Sequence, residues 1–272
     1  MLTTEEIKEF FRLENSHAKK ELGQNFLVNE KIINDIVSSL EIKKEDKLLE
    51  IGPGLGALSD SLINRTEKYV AVEYDQKFIN FLSKEHGNTN LTLVKNNILK
   101  FRDFDFNKIV GNLPYYITSD IIEYCLLHFD FNISIFMIQK ECYRRICSLK
   151  GKDYNVLNVL LDYSVNLKKI QDVNKLCFFP VPTVDSVIIK LIKKENIDKR
   201  FILSLKKLTT ILFHNRRKTI FNNLNSLVKD KELTTKILND LFLSLNFRAE
   251  ELSTQNFVDI TKSLLNYKIL KL

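Results

Sequence analysis

The chain is poor in the residues that staple or ligate. Its four cysteines, Cys125, Cys142, Cys147 and Cys177, form no CxxC pair, and its four histidines have no metal-ligand spacing. That excludes a disulfide framework and a zinc site, and it leaves reduced structural thiols of a cytoplasmic chain. No metal is expected. No apolar run approaches the length of a bilayer span. Residues 3–12 carry charges of both signs, where a secretory signal would be apolar. No internal repeat and no low-complexity tract is present, which excludes solenoids and tails.

What is present is an ordinary folding composition. With 44% hydrophobic and 28% charged residues, 272 residues suffice for one large domain and one small one. Base exceeds acid, 41 to 34, for a net charge of +7. A basic surface of this size suits a polyanionic partner such as RNA.

Residues 1–28 read as a polar N-terminal arm. Asn29 then caps a helix to about residue 40, with Ile32, Ile33, Ile36 and Val37 on one face. Strand-like and helix-like segments alternate after it. Strands are expected at 47–51, 69–73, 91–94, 109–111 and 133–138. Helices are expected at 57–64, 76–85, 118–128, 140–149 and 156–163. Such alternation predicts an α/β fold with a mostly parallel sheet covered on both faces. Runs at 167–173 and 184–192 predict a last strand pair at one side of the sheet, one strand antiparallel. From about Lys194 glycine disappears, and Leu, Lys, Asn and Phe recur at helical spacing. Four helices, 202–213, 219–227, 233–244 and 254–265, predict a small all-helical C-terminal domain. The expected division is therefore an arm at 1–28, a sheet domain at 29–194 and a helical domain at 195–272.

Two stretches carry chemistry. Glu50-Ile51-Gly52-Pro53-Gly54-Leu55-Gly56-Ala57 satisfies GxGxxA after a strand, and Glu73 ends the next strand about twenty residues on. Backbone amides at Gly52 and Gly54 can approach a nucleotide-type cofactor, and the Glu73 carboxylate can hold both ribose hydroxyls. Asp75 reads instead as a helix cap. These features alone leave NAD and S-adenosylmethionine open. Asn112-Leu113-Pro114-Tyr115, after the run 108–111, decides between them. The Asn112 side-chain oxygen and the Leu113 carbonyl can both accept from one exocyclic amine and turn its lone pair toward an electrophile. Tyr115 offers a face for the ring, and Pro114 fixes the backbone. A dehydrogenase gains nothing from this tetrapeptide; an enzyme alkylating an aromatic amine does.

Gln24-Asn25-Phe26-Leu27, Glu50 to Gly54, Val72-Glu73, Asn112 to Tyr115, Phe178 to Ser186 (FFPVPTVDS), Arg216-Arg217-Lys218-Thr219 and Arg248-Ala249-Glu250 occur in this order. Together they resemble the KsgA (RsmA) family of ribosomal RNA adenine dimethyltransferases, over about residues 17–260. The resemblance implies a Rossmann-like S-adenosylmethionine-dependent methyltransferase sheet with an RNA-binding helical domain. It implies N6,N6-dimethylation of two adjacent adenosines near the 3′ end of small-subunit (16S) rRNA, during maturation of that ribosomal subunit, by a monomer. By position Asn25, Leu27, Gly52, Glu73 and Asn112 correspond to cofactor-contacting residues. Asn97 stands where the family usually has Asp, and its oxygen can accept from the cofactor's adenine amine. Tyr116 replaces the commoner Asn and adds a second ring. Phe178 falls where the family keeps an aromatic that can stack on the target base. Arg216, Arg217 and Lys218 are the expected phosphate contacts. Two other readings remain. One is a large-subunit rRNA adenine methylase of the antibiotic-resistance type, which FFPVPTVDS, RRKT and RAE disfavour. The other is a non-catalytic RNA-binding assembly or transcription factor on the same fold, which the intact glycine loop, Glu73 and Asn112 disfavour.

Overall fold

The computed structural model describes residues 1–19 and 23–271. The chain divides into two compact units, residues 1–143 with 167–193, and residues 144–166 with 194–271.

The first unit is built on a seven-stranded sheet. Its strands are β2 (Lys47–Ile51), β3 (Lys68–Glu73), β4 (Leu91–Lys95), β5 (Lys108–Asn112), β6 (Ile133–Gln139), β7 (Val165–Val173) and β9 (Ser186–Lys193), in the order β4-β3-β2-β5-β6-β9-β7. The pairs from β4 to β6 are parallel, and β9 runs antiparallel to β6 with Ile133 opposite Ile192. The antiparallel strand therefore lies where the sequence pattern places it, on the β6 side. Interior strands read as continuous apolar runs because both faces are covered. One face packs Leu48, Tyr69, Val110, Ile135 and Ile188 against α2 (Glu30–Ser39) and α3 (Ser59–Leu62). The crossovers also include α4 (Gln76–His86), which packs on β3 and β4, and α5 (Thr118–His128). β2 has β3 on one side and β5 on the other, so the chain reverses direction across the sheet there, and ligands bind beyond the strand ends at such a point.

The N-terminal stretch is more than a polar arm. Residues Thr4–Leu13 form α1, with a capping box between Thr3 and Glu6. Its charges face solvent, and Ile7, Phe10 and Phe11 are buried against Phe26, Leu55 and Phe78. Full burial of three such side chains contributes several kcal/mol, at about 1.5–3 kcal/mol each. Residues 20–22 of the expected arm lie outside the described residues. Beyond them β1 (Phe26–Leu27) pairs antiparallel with β8 (Phe178–Phe179), Phe26 opposite Phe179 and Leu27 opposite Phe178.

The second unit is helical: α7 (Val156–Ser164), α8 (Lys199–His214), α9 (Ile220–Val228), α10 (Lys231–Asp240) and α11 (Thr254–Asn266), with the end of α6 (Lys140–Ile146). Here the structure departs from the expected division. Residues 144–166 group with the C-terminal helices because α7 packs on α8 and α11. Tyr154, Phe213 and Phe257 meet ring to ring at 5.4–6.2 Å in the core of this unit.

Candidate active site

A cavity of about 310 Å³ opens at the C-terminal ends of β2, β3 and β5. That is the lower end of small-molecule sites, roughly 300–1,000 Å³. The glycine loop, Glu73, Asn97, Asn112 and the segment Gly23–Leu27 all border it. Residues from five separate motifs thus converge on one space.

Gly52 shows why the loop needs glycine. Its φ is +66°, and a Cβ there would meet nothing within 4 Å, so its Cα borders open cavity. A side chain would be strained and would fill the space a ligand needs. Glu73 is 7% exposed and accepts three backbone N–H bonds, from Gly54 at 3.1 Å, Tyr74 at 2.7 Å and Asp75 at 2.8 Å. Burial raises its pKa above the usual carboxylate value, and the three N–H groups oppose that rise. The carboxylate is held rigidly at the end of β3, where a ribose diol can donate to it. Asp75 caps α4 through Lys77, as its position suggests.

Asn97 borders the cavity with Asn96 and Ile98. Its Oδ1 caps Leu99 N–H at 2.9 Å, so the oxygen expected to meet an adenine amine already holds one bond. Glu50 also borders the cavity, fully buried, with Ser59 Oγ at 2.6 Å and the Tyr69 hydroxyl both donating to Oε2. Burial is the main cause that raises its pKa from 4.5 to about 7.

Asn112 ends β5 at the cavity wall. Its Nδ2 donates to the Asn25 carbonyl at 2.9 Å. Only the nitrogen can donate, so the amide orientation is chemically fixed and Oδ1 is the group left to accept. Leu113 is 1% exposed, with its N–H on Met137 O at 3.1 Å. Pro114 lines the cavity.

The aromatic residues are arranged differently from expectation. Tyr115 is not among the cavity-lining residues; its hydroxyl is tied to Ser186 Oγ at 2.9 Å. Tyr116 does line the cavity and is 58% exposed. Phe178 is not brought to the cavity at all. It is 2% exposed and packs with Leu27, Val173 and Ile188, so its ring builds the core and presents no stacking face. FFPVPTVDS instead serves the site from behind, through the β8 pairing with Phe26–Leu27 and through Ser186 on Tyr115. Gln24 and Tyr116, which the sequence marks only as a motif member and a second ring, also border the cavity, as does Tyr74, which sequence reasoning does not mention. The place of Tyr74 next to Glu73 is the available signal.

In the helical unit, Arg216 is bonded to the protein itself. Its guanidinium donates to Lys152 O at 2.7 Å and Tyr154 O at 2.5 Å, and lies over the Phe213 ring. Arg217 and Lys218 are exposed. The run thus divides into one bracket and two surface charges. Among the described residues there is no cluster of acids, histidines and cysteines that could hold a metal, and no helix long and apolar enough to cross a membrane.

The sequence model of the family described as ribosomal RNA adenine dimethylase matches residues 15–266. A ribosomal RNA small subunit methyltransferase A from Malacoplasma penetrans is 41% identical over 80% of this chain and 81% of its own length. A dimethyladenosine transferase from Plasmodium falciparum superposes with a TM-score of 0.75 at 26% identity, covering 89% of this chain and 97% of that one. A 23S rRNA methyltransferase, ErmE, superposes with a TM-score of 0.66 at 22% identity over 88% of this chain and 99% of that one, which speaks to the fold alone.

Proposed function

The chain belongs to the ribosomal RNA adenine dimethylase family, and we propose that its substrate is a pair of adjacent adenosines near the 3′ end of small-subunit rRNA. The reaction is S-adenosylmethionine-dependent N6,N6-dimethylation of rRNA adenine. The proposed physiological setting is a small-subunit precursor in the cytoplasm, with the enzyme acting as a monomer.

The residues present fit the cofactor. Gly52 leaves its side of the cavity open. Glu73 offers a fixed acceptor for ribose hydroxyls, and the edge formed by Asn96, Asn97 and Ile98 suits a purine. When bound, S-adenosylmethionine supplies an electrophilic methyl group on a sulfonium. Asn112 Oδ1 and the Leu113 carbonyl then accept from the target amine and direct its lone pair inward. The amine proton leaves to solvent after transfer, so no strong base is needed. Tyr116, at the cavity border, supplies the aromatic surface for an unstacked base, with Tyr115 locked behind it. The mouth must also admit a monomethylated amine for the second addition.

One observation carries this reading: the Asn112 amide is oriented by an N–H on the Asn25 carbonyl, which leaves Oδ1 to accept beside the cavity. The test is methyl transfer from labelled S-adenosylmethionine to unmethylated small subunits, with the modified positions mapped by primer extension. Dimethylation at two neighbouring adenosines near the 3′ end is expected. Transfer only to large-subunit rRNA would favour the antibiotic-resistance type. Subunit binding without transfer would favour an assembly factor.

A further inference from the structure

The Asn112 amide is oriented by a carbonyl, and that carbonyl belongs to a segment nearly ninety positions earlier in the chain. What holds the segment in place therefore bears on the chemistry. Gly23, at φ +64°, lies so close to the tetrapeptide that a Cβ would meet Tyr115 N at 3.2 Å. The Asn25 side chain closes the turn by donating to Gly23 O at 3.2 Å. Gln24 fastens this turn at both ends. Its Oε1 accepts from Lys19 N at 2.8 Å, and its Nε2 donates to Asp75 Oδ2 at 3.3 Å. Asp75 is itself fixed, because its Oδ1 caps α4 and its N–H is on Glu73. A continuous set of bonds thus runs from the ribose carboxylate through Asp75 and Gln24 to the Asn25 carbonyl and Asn112.

We propose that Gln24 is a positioning residue for methyl transfer: by bolting the Gly23–Asn25 turn to Asp75, it keeps the Asn25 carbonyl on Asn112 Nδ2 and so keeps Asn112 Oδ1 free for the target amine. Gln24 acts through Asn112. Without the bolt, the carbonyl drifts, the amide turns, and the acceptor is replaced by a donor in part of the population. This inference rests on the methyl transfer proposed above.

The test is a double-mutant cycle in single-turnover methylation of unmethylated small subunits at saturating labelled cofactor. Gln24→Ala should lower the rate about tenfold or more, since small misplacements of a catalytic group cost up to about a hundredfold. In an Asn112→Ala background the same change should cost nothing further, because the group it positions is gone. Gln24→Met, similar in volume but without hydrogen bonds, should behave as Gln24→Ala and guards against a packing defect. Melting temperature and circular dichroism show that each variant is folded. Multiplying losses in the cycle, or a parental rate in folded Gln24→Met, would overturn the role of Gln24 and leave the proposed function standing. A parent chain inactive on small subunits would overturn both.

Discussion

Asn112 and Arg216 are both motif residues with versatile hydrogen-bonding side chains, and the two units use them in opposite ways. In the sheet unit, Asn112 gives one N–H to the Asn25 carbonyl and leaves Oδ1 to accept at the cavity wall. In the helical unit, Arg216 gives two of its five donors to backbone carbonyls and holds its guanidinium over the Phe213 ring. The group that Asn112 leaves without a partner borders a cavity, whereas the bonds that Arg216 makes tie together carbonyls and a ring of its own unit. The test of a functional residue is therefore hydrogen-bonding capacity left facing a cavity rather than its place in a motif.

The sharpest way to break this contrast is Asn112→Ala. It removes the unspent acceptor and leaves the fold standing. Removing one preorganised polar group costs roughly 10²–10³ in rate. Both methyl additions should slow in single-turnover assays, while subunit binding persists. A parental rate would reduce the tetrapeptide to a turn.

Glu50 tests the cavity floor. Its folded pKa is raised from 4.5 to about 7, mainly by burial. The sign follows from the direction. Below about pH 4.5 the group is protonated in both states, and its contribution to stability is fully present. As pH rises through 7 that contribution is lost, by about 3 kcal/mol in all. Both hydroxyl donors sit on Oε2, so the amide oxygen of Glu50→Gln can keep both. The variant should be more stable than the parent at pH 8 and close to it at pH 4.5. Equal pH profiles in denaturant titrations would show that the floor is wetter than its burial implies.

Glu73→Ala removes a carboxylate that anchors the loop and, on the proposed reading, the ribose. Cofactor binding should weaken by about 1.5–3 kcal/mol, the usual worth of hydrogen bonds to a charged group. Calorimetry with S-adenosylhomocysteine measures it. Unchanged affinity would place the ribose elsewhere.

The sheet was legible in the sequence because β2, β3, β5 and β6 are buried on both faces, and burial writes itself as an apolar run. The glycine loop and Glu73 were legible for a similar reason: a turn that backbone and ligand can approach needs glycine, and the motif sets a carboxylate at a fixed offset from the strand. Helix α1 was also written there. Thr3 and Glu6 form the capping box, and Ile7, Phe10 and Phe11 lie at helical spacing. The interleaved charges hid it. Other features have no local signature. Which of Tyr115 and Tyr116 borders the cavity depends on how a short 3₁₀ turn rotates after Pro114. Whether Phe178 faces base or core depends on its pairing with Leu27, a hundred and more residues away in the chain. The grouping of α7 with the C-terminal helices is likewise a matter of tertiary packing.

The smallest and most discriminating effects are expected in the Arg216–Lys218 run. If Arg216 is a bracket, Arg216→Ala should unsettle the helical unit by roughly 1.5–3 kcal/mol, because two carbonyls lose a charged donor. Arg216→Lys should rescue it poorly, since an ammonium lacks the planar fork that reaches both carbonyls. Neither change should alter the salt dependence of rRNA binding in the folded fraction. Arg217→Glu with Lys218→Glu should do the reverse. Both side chains are exposed, so stability should stay within about 0.5 kcal/mol of the parent. If both meet phosphate, the slope of log K against log salt should flatten by roughly 1.4–1.8, because a phosphate without its cationic side chain keeps its counterions. Binding isotherms at several salt concentrations, read beside melting curves, separate the two kinds of arginine. A flattened slope in Arg216→Ala with an unchanged melting curve would show that the bracket opens to bind RNA. The contrast with Asn112 would then fail, because both residues would be keeping capacity for a ligand.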